Sequence, residues 1–314
     1  LVGAAPAGLT RRVVAGGALI VAASAATAWA LAYPQSPMGG AVARAAADGT
    51  AVVTVGLATV PLLDVVRYRA ELVRTATGPL VWSSAIWLLA ELVRLIVETA
   101  RAADATVLHL GVQTSAEFAL STTAGRSGLA SIVAALVVGM VALAVPRTAA
   151  AVTATSGIAA AGLVARTLSG HLAESPVGGL AVAVHALAAA LWCGVLAALV
   201  LTVTHRGQWA RVLPRFSQLS LICVVVLLIF GVLGALIRLD NPAQLWATGY
   251  GRLLSAKVVL TAGLLALAWR NRAGWLPAAR SHRASANLSR SRSLIELAIM
   301  TVAITFAAAL AVAG

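Results

Sequence analysis

Nine apolar runs, at about 13–33, 50–66, 80–100, 128–146, 148–168, 177–204, 216–238, 251–270 and 293–313, leave this chain little choice of solvent. Crossing a hydrocarbon core of roughly 30 Å takes about 20 apolar residues in a helix. Within lipid, a backbone must satisfy its own hydrogen bonds, which helices do and open strands do not. The expectation is an all-α, polytopic transmembrane helix bundle. The second run is short and contains Pro61, and only Pro146-Arg147 parts the fourth from the fifth, so the count is eight to nine helices. Composition points the same way: 11% of residues are charged, against about 25% in a soluble domain. Both cysteines fall inside apolar runs, which excludes a disulfide framework and a Cys-rich zinc module.

The net charge of +13 reads as topology rather than nucleic-acid binding, because cytoplasmic loops hold an excess of Lys and Arg. With a cytoplasmic N-terminus, 15 basic residues fall on inner segments and 7 on outer segments and outer helix ends, with Arg94 in mid-membrane. Nine helices then put the C-terminus outside. Asp48, Asp104, Glu117, Glu174 and Asp240 lie in or beside predicted outer loops. They either suit a cation or simply balance the outer arginines. The longest outer connection, about 101–127, contains an amphipathic stretch, Val107–Val112, too short to span and therefore re-entrant or surface-lying. The Arg/Ser-rich segment 271–292 reads as a flexible cytoplasmic loop near anionic headgroups. No fixed-period repeat and no long soluble domain stand out.

Three histidines, His109, His171 and His185, map to the outer side. Glu174 follows His171 by three residues, and Met38 lies in another outer loop. Imidazole, carboxylate and thioether together suit copper in either oxidation state. Alternatively, His185 bonds a neighbouring helix and His171 is solvated. Deeper lie Cys193 and Cys223, with Met140 and Met300 at comparable depth; they are either a soft relay for Cu(I) or small apolar packers. Glu91, Arg94 and Glu98, at i, i+3 and i+7, share one face of the third helix. They neutralise one another there, as an intramembrane path or as a structural cluster. Lys257, the one lysine, snorkels outward or pairs with Asp240 or Glu174, and Asp64 and Arg67 look like a local ion pair. There is no P-loop, no GxSxG and no HExxH, so the chain is read as a non-enzyme.

The second half resembles the copper resistance protein D (CopD) family of bacterial membrane proteins. The resemblance is carried by Ser169-Gly170-His171, Val184-His185, Leu191-Trp192-Cys193-Gly194, Arg215-Phe216-Ser217 and Gly231. It continues through Thr248-Gly249-Tyr250-Gly251-Arg252-Leu253-Leu254 with Lys257, Asn271-Arg272 and Glu296. It covers roughly 165–313 and extends through Thr123-Ala124-Gly125-Arg126 back to about 105. The organisation expected from it is a set of N-terminal transmembrane helices over 1–104 and a CopD-like copper-handling domain over 105–314. The family implies a multi-pass protein of the bacterial cytoplasmic (inner) membrane that imports or delivers copper. His171 and His185 are then the leading metal ligands, and Trp192, Tyr250, Arg252 and Lys257 are structural or gating positions. The family's usual Trp-x-Gly-Gly reads Trp192-Cys193-Gly194-Val195 here, one packing glycine fewer and one soft ligand more. In some bacteria this domain is fused to a CtaG-like module that helps deliver copper to cytochrome c oxidase, and a chain opening at Leu1 is read as such a piece. The partners implied are lipid, a periplasmic copper chaperone and the CtaG-like or oxidase-assembly machinery, with no nucleic acid. Two alternatives stay open: an assembly factor that transports nothing, and a haem-binding electron-transfer bundle with histidine ligands.

Overall fold

The computed structural model describes residues 7–33, 38–144, 148–167, 176–239, 241–275, 277 and 285–313. Every regular element among them is helical. In chain order these are α1 (Ala7–Ala32), α2 (Met38–Thr59), α3 (Arg69–Ala102), α4 (Val112–Ser121), α5 (Thr123–Ala144), α6 (Ala149–Thr167), α7 (Pro176–Thr202) and α8 (Arg206–Arg238). There follow α9 (Gln244–Ala247), α10 (Gly249–Arg270), a π-helical turn over Asn271–Trp275 and α11 (Ala286–Ala313). All but α4 and α9 are long and apolar enough to cross a membrane, giving nine candidate spans among the described residues.

The second span is longer than its apolar run suggests. α2 starts at Met38 and takes in Arg44 and Asp48, which pair with each other along the helix while Asp48 also pairs with Arg166 of α6. Pro61 does not break that span but turns its end into a 3₁₀ segment, Val60–Leu63. This closes the helix one turn before Asp64, whose backbone is extended. The break overturns the expected Asp64–Arg67 pair, since i and i+3 face each other only within a continuous helix. Asp64 instead binds Arg211 of α8 at 3.1 Å, while Arg67 stacks on Tyr68 at 5.4 Å. Met140 is 51% exposed and faces away from the two cysteines, both of which are buried.

The connection between α3 and α5 holds a 3₁₀ turn, Val107–His109, followed by α4. Leu108 and Val112 are 93% and 88% exposed, so the segment lies on the outside of the bundle. Its apolar side chains suit the headgroup boundary.

α2 and α7 form the centre. α2 packs most extensively on α3 and α7, and α3, α5 and α6 make one lobe beside them. On the other side α11 carries α10 and α1, while α8 is attached chiefly to α7. The central crossing has a sequence cause. A Cβ on Gly56 would lie 1.9 Å from the Gly194 carbonyl, and one on Gly194 would lie 2.1 Å from the Val52 carbonyl oxygen, so the two backbones touch. Small residues permit such close approach. Gly194 alone suffices for it, even though Val195 replaces the second glycine of the family pattern.

The central contact relates two similarly ordered halves. α2, α3, α4, α5 and α6 are matched by α7, α8, α9, α10 and α11: a central helix, a long helix with an early proline (Pro79 or Pro214), a short surface helix, and two spans. The fourth element of each half opens with the same cap. Thr122 accepts a hydrogen bond from the Gly125 amide, and Thr248 one from the Gly251 amide, both at 2.9 Å. A side chain at either glycine would strike the preceding short helix, at the Phe118 or the Gln244 carbonyl oxygen. The next residue is an arginine in both, Arg126 and Arg252. This order has no fixed sequence period because the connecting segments differ in length.

Candidate functional site

Polar chemistry inside the bundle falls into three groups. The first joins α2, α3 and α6 near the end of the molecule where α1 finishes and α2 begins, here called the first end. Arg94 donates to Glu91 Oε1 through Nε at 2.9 Å and Nη2 at 2.6 Å, and to Glu98 through Nη1. These contacts realise the shared face expected of Glu91, Arg94 and Glu98. Arg166, the next-to-last residue of α6, donates to Glu91 Oε2 at 2.8 Å and pairs with Asp48 of α2. Arg44 lies 3.9 Å from Asp48. Three arginines thus meet three carboxylates, as burial in a weakly polar interior requires. Gly128 of α5 makes room, since a Cβ there would sit 2.8 Å from Arg94 Nη2. Every carboxylate of this group is engaged by a guanidinium, so it forms a charge-balanced clamp between the three helices.

The pairing of Arg166 with Asp48 and Glu91 is not legible in any local pattern, since Glu91 and Arg166 are 75 residues apart. The available signal was that Arg44, Asp48 and Arg166 all map to the first end and carry compensating charges.

The second group is His185 with its neighbours. His185 lies nine residues into α7, about 14 Å from the helix start at 1.5 Å per residue. Its ring packs against α8, lying beside Gly231, where a Cβ would approach Cε1 to 3.3 Å, and within hydrogen-bonding reach of the Leu227 backbone. Lys257 of α10 is near enough to His185 for their charges to interact, and no ion pair engages it among the described residues. His171 and Glu174 lie outside the described residues, as does Asp240. The remaining candidates are not gathered here. His109 is exposed beside α3 and bonds Thr106 through Nδ1 at 2.6 Å, and Met38 is 46% exposed at the start of α2.

The third group lies deeper. Cys193 of α7, Cys223 of α8 and Met300 of α11 are all members of the main buried core of the bundle, which α2, α3, α5 and α6 also build. Cys193 is within electrostatic reach of Cys223 and of Glu296. Glu296, 4% exposed, accepts a hydrogen bond from Asn271 Nδ2 at 3.1 Å. Among the described residues no three His, Cys, Asp or Glu side chains converge tightly enough to hold a metal ion.

Several of the singled-out positions prove to be fasteners. Arg252 donates to the Leu31 and Tyr33 carbonyls at 2.9 and 3.1 Å, closing the end of α1. Arg215 donates to the Leu63 carbonyl at 3.0 Å, and Arg272 to the Ser217 carbonyl at 2.8 Å and hydroxyl at 2.7 Å. Trp192 is 3% exposed in the central core.

A family model described as Copper resistance protein D matches residues 210–312, and one described as Copper resistance protein D-like, N-terminal domain, matches residues 34–180. No match was found among curated proteins or among solved structures.

Proposed function

We infer that this chain, which belongs to the copper resistance protein D family, captures copper at a histidine site near the first end and passes it along α7 through the membrane. Membership makes it a multi-pass membrane protein involved in copper resistance and uptake. The capture site and the direction of movement are the reading offered here, as is placement in a bacterial inner membrane with the first end outward.

One observation carries the reading: soft donors gather on and around α7. His185 and Cys193 are eight residues apart on that helix, an axial step of about 12 Å, and Cys223 and Met300 share the core around Cys193. Thiols and thioethers favour Cu(I), and imidazole accepts either oxidation state. His171, in the segment just before α7, is the natural second ligand for His185. A periplasmic chaperone would hand over the ion at this end.

The test is a competition titration of the detergent-solubilised protein with Cu(I) and Cu(II), beside a variant carrying His171→Ala and His185→Ala, followed by copper uptake into sealed vesicles. The expected result is tight binding in the parent, loss of that binding in the variant, and flux only with the parent. Undiminished binding and uptake by the variant would remove the histidines from the site. Binding by the parent without flux would favour a second reading, supported by the lack of a convergent three-ligand group: the chain then holds copper for a CtaG-like or oxidase-assembly partner.

A further inference from the structure

The two halves differ at one seam. In the first half α3 and α5 pack closely along their length, with the Glu91–Arg94–Glu98 face enclosed between them and α6. In the second half the corresponding helices, α8 and α10, scarcely touch. A cavity of about 210 Å³ opens between them, walled by Phe216, Val224, Leu265, Trp269 and Trp275 and reaching Glu296 of α11.

Among the described buried carboxylates Glu296 stands apart. Asp48, Asp64, Glu91 and Glu98 are each bound by at least one arginine. Glu296 is 4% exposed, yet its partner is the neutral amide of Asn271, and no ion pair reaches it among the described residues. Arg272 also lines the cavity, but its Nη1 is committed to Ser217 of α8. An unpaired carboxylate inside a membrane-spanning bundle is expensive and marks a place where a positive charge is received. Apart from Arg272, Asn271, Ser217 and Ser220 the lining is apolar and aromatic, and Glu296 is its one carboxylate among the described residues.

We propose that Glu296 is the counter-charge for a soft monovalent cation as it leaves the Cys193–Cys223–Met300 core for the α8–α10 cavity. This rests on the copper-path reading above and adds a residue to it. The thiols and thioether supply affinity for a soft ion, and the carboxylate offsets its charge where water is excluded. Asn271 holds that carboxylate in place.

The experiment is a Cu(I) competition titration of the full chain in lipid nanodiscs, repeated with Ag(I) as a redox-inert monovalent probe. It compares the parent with Glu296→Gln, Glu296→Asp and Cys193→Ser. Glu296→Gln keeps the shape and the amide contact while removing the charge, and Glu296→Asp keeps the charge should the first variant fold poorly. The expected result is an affinity about tenfold or more weaker for Glu296→Gln, the scale of loss when a group supporting a bound metal is removed, with most of it restored in Glu296→Asp and a comparable loss in Cys193→Ser. Parent-like affinity in Glu296→Gln would overturn the counter-charge while leaving the copper path standing. A parent that binds neither ion would overturn the path itself, and the counter-charge with it.

Discussion

Arg166 occupies the next-to-last position of α6, where an arginine would ordinarily reach into water, yet it is 3% exposed. Two carboxylates from two other helices explain this, because a guanidinium offers donors in a planar fork that serves both at once. Removing one member of a buried pair leaves the other charged and unsolvated, at about 3–5 kcal/mol. Arg166→Met should therefore lower the thermal midpoint of the solubilised protein markedly. Adding Glu91→Gln to that variant should cost much less than the two separate losses combined, because the groups act as a unit. Additive losses would show that they do not. The Glu91–Arg94–Glu98 part of this cluster was legible, since residues three and four apart on a helix must be neighbours. Its completion by Arg166 and Asp48 was not, because that depends on how each helix is rotated about its axis.

Among the elements, the α2–α7 crossing is the most exacting. Gly56 and Gly194 each stand where a methyl group would overlap the opposite backbone, and backbone cannot swing aside as a side chain can. Gly194→Ala should cost about 1–3 kcal/mol or more through overpacking and lower the midpoint accordingly. Gly234→Ala is the contrast, since a Cβ there meets nothing within 4 Å, and it should be neutral or mildly stabilising given alanine's better helix propensity. Equal effects in the two variants would mean the crossing is looser than this geometry requires. Helix existence was readable from the apolar runs, while several ends were not. α2 begins at Met38 and α8 at Arg206, each well before its apolar run, because a polar first turn is stable once tertiary partners satisfy it. Gln208 shows how: its Oε1 accepts from the Thr204 and His205 amides at 3.0 and 3.3 Å, and its Nε2 donates to Glu71 at 2.7 Å.

For the whole molecule, the basic excess at the α1 start and over 67–74, 206–215 and 270–292 predicts that this end faces the cytoplasm. Reporter fusions should then give a cytoplasmic signal from the segment between α10 and α11 and an external one after α11. The opposite pattern would place His185 and the clamp at the cytoplasmic end and reverse the proposed direction of copper movement. What the sequence by itself determined is the solvent and the number of crossings to within one, because hydrophobic length is a local property that lipid reads one segment at a time. Only the tertiary structure decided which buried charges have partners, where two backbones touch, and that Glu296 stands beside an open seam without a counter-ion among the described residues. Those facts depend on the rotation and neighbours of each helix, and an apolar run carries no record of either.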